Sequence, residues 1–201
     1  MSKVAITDHP IHALLANRWS PYSFADRSVA LEDLRALFEA ARWAPSSYNE
    51  QPWSYLVAAR EQAEAFASLL SCLVEANQAW ARHAPVLALG ITRERFTRND
   101  QPNAAAQHDL GLAAGNLLVE ATARGLAVHQ MIGILPDHAR EVYRIPDHSR
   151  ALTALAIGYA GAPERLPEGL GARDLAPRAR KPLGEFVFET RWGEPAELTE
   201  A

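Results

Sequence analysis

The sequence predicts an α+β fold, with helices dominant around a central sheet of about four or five strands, and three observations carry that prediction. Apolar residues recur at helical spacing: Leu34, Leu37, Phe38 and Ala41 form one stripe, and Leu110, Ala113, Ala114, Leu117, Leu118 and Ala121 form another. Short apolar runs, Val86 to Thr92 and Leu152 to Ile157, have the length and composition of buried strands. No self-similarity at a period of about 20–50 residues is visible and no stretch reads as a linker, so residues 1–201 are expected to fold as one domain.

In chain order, the stripe from Leu34 ends before Pro45, which cannot continue a helix. Trp53 to Ala59 reads as a short strand. Phe66, Leu69, Leu70 and Leu73 repeat the helical spacing and predict a helix over roughly Glu61 to Trp80. Pro85 opens the apolar strand, which has too little polar alternation to be half exposed. The clearest helix runs from about Ala104 to Arg124, and Gly125 stops it where a left-handed residue is expected. Gly111 and Gly115 lie inside this helix with no strand–turn before them, so they are not a phosphate loop. They suit close helix–helix approach instead, within the subunit or across a dimer. Val128 to Ile132 reads as a strand, followed by a short helix from Pro136. The Pro- and Gly-rich stretch Gly161 to Pro182 reads as an irregular surface arm. It leads to Glu185–Thr190, where Phe186 and Phe188 alternate with other residues and predict a terminal strand that can pair far from its own core, including on another subunit.

Twenty Lys and Arg against 24 Asp and Glu give a net charge of -4, with 48% hydrophobic residues. That balance gives no global attraction to nucleic acid or an anionic membrane, so any anion site must be local. Cys72 is the only cysteine, which rules out an intrachain disulfide, fits a reducing compartment and reads as a half-buried helix residue. Met1 to His12 has no apolar signal-peptide core, and the run from Val86 to Ile91 is far too short to cross a bilayer. A cytoplasmic protein with no membrane partner is therefore expected.

Three irregular segments stand out as candidates for chemistry. In Asn17-Arg18-Trp19-Ser20-Pro21-Tyr22, Arg18 offers a planar fork suited to phosphate and Ser20 a hydroxyl donor. Ala44-Pro45-Ser46-Ser47-Tyr48-Asn49-Glu50-Gln51-Pro52-Trp53 is a loop bracketed by prolines, and its Asn49 and Gln51 can both donate and accept at the edge of a heterocycle. Pro177-Arg178-Ala179-Arg180-Lys181-Pro182 places three cations in four residues of an acidic chain. Each also has a plainer reading: a surface Arg before a turn, a polar turn, and a solvated charge run.

Taken in order, and with Asp109-Leu110-Gly111 and Gly125-Leu126-Ala127-Val128-His129-Gln130-Met131, these segments resemble the nitroreductase superfamily over about Ile11 to Trp192. The resemblance implies an intertwined homodimer with a mostly antiparallel central sheet flanked by helices, a C-terminal strand extension and two FMN sites at the interface. It implies that Arg18, Trp19, Ser20 and Tyr22 lie at the phosphate and ribityl side, with Arg178 and Arg180. Pro45, Ser46, Ser47, Asn49 and Gln51 would reach the flavin from the partner subunit, and Ile132 and Gly133 would face its ring with their backbone. The sequence departs from the resemblance at two places: many members of that superfamily carry a basic residue where Tyr22 stands, and those with the His-Gln-Met pattern often follow it with a Gly-Phe-Asp type run where this chain has Gly133-Ile134-Leu135-Pro136.

The implied activity is hydride transfer from NAD(P)H through FMN to a nitroaromatic, quinone or similar small acceptor. No catalytic side chain is required, which agrees with the lack of a Gly-x-Ser-x-Gly elbow or a Cys–His pattern. Flavin fragmentation, dehalogenation or heterocycle dehydrogenation on the same fold, and a flavin-binding protein without turnover, remain as alternatives. His9, His12 and His108 do not complete a metal-ligand pattern, and His129 reads as a satisfied buried imidazole. Arg93 to Gln107 reads either as a lid carrying Phe96 or as a plain surface loop.

Overall fold

A computed structural model describes residues 3–166 and 168–199. Its centre is a sheet of four strands, β1 (Trp53–Ala59), β2 (Val86–Arg93), β3 (Ala127–Met131) and β4 (Ser149–Gly158), in the order β1-β2-β4-β3. All three pairings are antiparallel. Among the described residues seven α-helices accompany it: α1 (Ala13–Asn17), α2 (Leu31–Arg42), α3 (Ala63–Ser71), α4 (Glu75–Ala81), α5 (Ala106–Ala123), α6 (Pro136–Tyr143) and α7 (Glu168–Leu175). The arrangement is α+β. Among the described residues no helix is long and apolar enough to cross a membrane.

The two central strands explain why their sequences lack polar alternation. Along β2, Leu87, Leu89 and Ile91 enter one core with α3, α4 and α6, while Val86 and Ala88 enter a second core with α2 and α5. Along β4, Ala154 and Ala156 join the first core and Leu155 and Ile157 the second. Period-two alternation is preserved, but both faces are covered, so both sets are apolar.

The stripe Ala113, Leu117 and Ala121 on α5 is fully buried, as are Leu37 and Ala41 on α2. Gly125 ends α5 at φ 71°, and Leu126 N–H returns to the Ala121 carbonyl at 2.8 Å. A Cβ placed on Gly111 or Gly115 would meet nothing within 4 Å. Neither glycine serves close approach inside the subunit.

Three expectations are corrected. The helix foreseen over Glu61 to Trp80 is two helices, because Val74 N–H donates to the Gly133 carbonyl and the Cys72 carbonyl accepts from Leu135 N–H, turning the backbone out at Leu73. The apolar spacing fits the broken form equally well. Cys72, at that break, is fully buried, not half-buried. The arm from Gly161 is not irregular throughout, since α7 lies within it.

The terminal strand over Glu185–Thr190 does not form in the chain. Leu183–Glu185 is a 3-10 turn, and Phe188 makes one isolated bridge with Pro195. The backbone donors and acceptors expected to join a sheet are taken locally, with Glu189 N–H on the Glu194 carbonyl and Ala196 N–H on the Val187 carbonyl. The alternating pattern describes an extended segment that folds against its own continuation.

Candidate functional site

α1 is short and ends at Arg18, whose backbone leaves helical geometry while its N–H still caps Leu14. The side chain then turns towards Ser20, donating to its Oγ at 3.1 Å. The C-terminal arm arrives at the same place because α7 is anchored. The buried Asp174 carboxylate accepts from Tyr22 N–H at 2.9 Å and from Ser23 N–H at 3.0 Å, and Lys3 Nζ donates to the Asp174 carbonyl at 2.6 Å. Beyond this anchor, Arg178 donates to the Lys3 and Ala16 carbonyls at 2.7 and 2.6 Å.

Arg18, Arg178 and Arg180 thus line one cleft of about 930 Å³, with apolar walls from Ile6, Ile11, Leu15 and Phe186. Burial, and then the positive charges of Arg178 and Arg180, hold the Arg18 guanidinium below its ordinary value. Burial and Arg180 do the same to Arg178. Among the described residues no carboxylate lies within ion-pair distance of these three cations. Guanidinium groups brought together and partly desolvated without a counter-ion are unfavourable alone, and a bound phosphate relieves the repulsion.

The proline-bracketed loop is built differently. Tyr48, Asn49 and Gln51 occupy left-handed backbone at φ 53°, 55° and 50° without being glycine. Such conformations cost about 1–3 kcal/mol each and persist only where neighbours enforce them. The enforcing contacts are specific. Ser47 N–H donates to Asp109 Oδ2 at 3.0 Å, Gln51 N–H donates to Ser46 Oγ at 3.0 Å, and the Gln51 side chain reaches the Asn49 carbonyl at 3.2 Å. Asp109 stands in the first turn of α5 and is buried. Pro45, Asn49 and Gln51 remain exposed.

Ile132 and Gly133 follow β3. The Gly133 carbonyl accepts from Val74 N–H at 3.1 Å and Asn77 Nδ2 at 2.9 Å, and a Cβ at Gly133 would fall 2.4 Å from that amide nitrogen. A side chain here would therefore push the Asn77 amide from its hydrogen bond. The Ile132 side chain is 83% exposed.

Among the described residues no hydrogen bond or ion pair joins the arginines, the loop and the Ile132–Gly133 turn. Trp19 lies half-buried under Lys3, whose Nζ is 5.1 Å from the ring centroid. The Tyr22 ring packs edge-on against Trp80 at 5.1 Å and His129 at 4.6 Å, so it belongs to an aromatic cluster. His129 is satisfied by the Pro21 carbonyl at 2.9 Å, and burial lowers its pKa. Sequence reasoning missed Asp174 and Asp109 as anchors, since an isolated Asp on a helix carries no mark of what its carboxylate will reach.

An α+β domain with a strained polar loop and a phosphate-type cation cluster is the class these features define. Comparison with known proteins narrows it: the chain belongs to the nitroreductase family, whose family model matches residues 15–159. An uncharacterized 15.4 kDa protein of Mycolicibacterium smegmatis is 32% identical over 132 residues, covering 66% of this chain and 87% of that protein. A putative NADH dehydrogenase/NAD(P)H nitroreductase of Streptomyces coelicolor is 28% identical over 177 residues, covering 77% and 87%. Among solved structures, an oxidoreductase containing FMN superposes with a TM-score of 0.89 at 32% identity, covering 96% of this chain and 98% of that one. A putative nitroreductase in complex with FMN from Desulfovibrio desulfuricans shares the fold at a TM-score of 0.70 and 24% identity, covering 92% and 99%.

Proposed function

We propose that residues 1–201 form one FMN-binding domain that passes hydride from NADH or NADPH to a nitroaromatic, quinone or similar small acceptor in the cytoplasm. The observation that carries this reading is the convergence of Arg18, Arg178 and Arg180 without a carboxylate partner, which fits a phosphate monoester. The FMN named in two structural neighbours is the ligand with that group. When bound, FMN supplies hydride-level redox chemistry, so no protein nucleophile is needed. Arg18, Ser20 and Arg180 would hold the phosphate, Arg178 would share in this while tying the arm to α1, and Trp19 would wall the same side. Asn49 and Gln51 would offer polar groups to the ring edge, with Pro45, Ser46 and Ser47 fixing their position. The backbone at Ile132 and Gly133 would face the ring. Donors near the pyrimidine end stabilise the charge that reduction places there.

We place this site in a homodimer. The positions of Gly111 and Gly115 open onto space that their own subunit does not fill, beside the half-buried Val119, which leaves room on α5 for close approach of a second helix. The absence, among the described residues, of any hydrogen bond or ion pair between the loop and the arginines is in keeping with a site completed by a second copy.

The deciding experiment is an absorption spectrum of the purified protein, heat release of its chromophore with chromatography, and anaerobic titration with NADH and NADPH. FMN that bleaches on adding a nicotinamide is expected. Recovery of FAD alone, or of no flavin after reconstitution, overturns the cofactor. FMN that neither nicotinamide reduces favours a flavin-binding protein without turnover.

A further inference from the structure

The strained loop is gripped on its outer side by the segment that follows β2. The Glu50 carboxylate accepts from Thr97 N–H at 2.5 Å and from the Thr97 hydroxyl, and these hydrogen bonds outweigh burial and hold its pKa below the usual carboxylate range. This clamp brings Phe96 edge-on to Tyr48, with ring centroids 5.8 Å apart and planes at 86°. It also lays the Arg98 guanidinium 4.1 Å from the Tyr48 centroid and 5.1 Å from that of Phe96.

The result is a small platform of two rings and one cation, and it faces outward: Tyr48 is 75% exposed. The other charges of the segment are engaged. Arg95 pairs with Asp100, Arg93 Nε donates to the Arg95 carbonyl, and Gln107 donates to Glu94. Among the described residues Arg98 makes neither an ion pair nor a hydrogen bond, although its charge lies close enough to help hold the Glu50 carboxyl down; Thr97 takes one Glu50 oxygen, and no contact fixes the Arg98 fork. A guanidinium stacked on rings presents its N–H fork edgewise, the geometry that takes a carboxylate in two parallel bonds, and the adjoining ring faces accept an aromatic plane.

We propose that Tyr48, Phe96 and Arg98 form a selectivity site for an aromatic acceptor that carries an anionic group such as a carboxylate. This rests on the reading of the chain as an FMN oxidoreductase whose loop from Pro45 to Gln51 borders the ring. It deepens that reading by naming the acceptor's charge. The left-handed backbone at Tyr48, Asn49 and Gln51, held by the Ser46 and Asp109 contacts, sets the direction of Tyr48, and the Glu50–Thr97 clamp holds Phe96 beside it.

The test uses 4-nitrobenzoate and its neutral counterpart 4-nitrobenzyl alcohol as acceptors for the flavin-loaded protein, and benzoate as a redox-inert probe. Benzoate titration is followed by NMR of arginine side-chain and aromatic signals. Wild type should favour the anion in kcat/KM by about fivefold, the scale of one exposed ion pair. R98Q should erase that preference while leaving the neutral acceptor within about twofold, and should abolish the benzoate shifts at Tyr48 and Phe96. F96L should weaken both acceptors together. Equal treatment of the two acceptors by wild type, equal losses for both in R98Q, or benzoate shifts that bypass these residues would overturn the site. A protein that holds no flavin would fail the oxidoreductase reading instead, and the benzoate shifts would still decide the platform.

Discussion

Asp174→Ala should unfasten the arm that carries Arg178 and Arg180. The wild-type carboxylate serves two backbone donors, Tyr22 N–H and Ser23 N–H, and Ser23 is only 3% exposed. Leaving a buried donor unsatisfied costs about 1–3 kcal/mol; with Ser23 fully buried and Tyr22 partly so, the sum is about 2–4 kcal/mol. For a chain of this length each kcal/mol lowers the melting midpoint by roughly 2–4 °C, so a fall of roughly 5–15 °C is expected. Asp174→Asn keeps one acceptor oxygen and should lose about half as much. Because the anchor places the arginines against α1, FMN affinity should fall with stability. Scanning calorimetry of the apoprotein and titration of FMN by fluorescence quenching measure the two effects. A midpoint shift of less than about 2 °C in Asp174→Ala, or a full shift with unchanged FMN affinity, would refute the reasoning.

Other expectations concern the site and its pH response. Arg180→Ala should weaken FMN about 10–100-fold, since a hydrogen bond to a charged group is worth about 1.5–3 kcal/mol. Lys181→Ala should do less, because Lys181 already lies 3.8 Å from Glu185, and equal losses in an FMN titration would show that the assignment is wrong. Asp109→Ala should release the loop and raise the FMN dissociation constant, whereas Asp109→Asn, which can still accept from Ser47 N–H, should remain close to wild type; identical behaviour of the pair would refute the anchoring role. Burial depresses His129 below its ordinary value of 6.5, so the unfolded chain takes up a proton before the folded one. Its contribution is complete above that value and is lost as pH falls from 6.5 towards the lower folded value. Thermal midpoints measured between neutral and mildly acid pH should therefore drop, and His129→Gln should flatten that slope. Sedimentation should find a dimer. Mixing Asn49→Ala with Arg180→Ala by co-refolding should restore part of the flavin binding, and a monomer with full FMN affinity would remove the shared site.

Much of the fold was legible because periodicity and burial coincide. The stripes on α2 and α5 and the unbroken apolar runs of β2 and β4 each have one packing solution, and Gly125 marks its own φ of 71°. Two errors arose where local pattern left two solutions. The spacing Phe66, Leu69, Leu70, Leu73 tolerates a continuous helix or a break, and the break was decided by backbone hydrogen bonds to residues 133–135, far away in sequence. The alternation around Phe186 and Phe188 specifies extended chain but not its partner, which turned out to be residues 194–196. At the candidate site, Arg18, Ser20, Arg178 and Arg180 were visible as residue types, and the structure brings the three arginines to one cleft with Ser20 hydrogen-bonded to Arg18. The left-handed conformations of Tyr48, Asn49 and Gln51 had no such signal, since only glycine advertises that geometry.

Two buried aspartates assemble the site, and neither belongs to the apolar cores. Asp174 fixes the arm to the segment after α1, and Asp109 fixes the proline-bracketed loop to the start of α5. Both do so through backbone N–H groups, which a carboxylate can satisfy in almost any side-chain context. The sequence around each partner is then free to carry ligand-binding residues without carrying the fold. The sheet, by contrast, is held by apolar burial on both faces and does not depend on either anchor. Loss of an anchor should accordingly leave β1 to β4 paired while the arginines or the loop move away. In hydrogen exchange, protection would fall in residues 44–52 for Asp109→Ala and in residues 18–24 and 168–180 for Asp174→Ala, with β2 and β4 unchanged. Loss of protection in β2 and β4 as well would mean that site and scaffold are one cooperative unit, and that the division argued from these contacts does not hold.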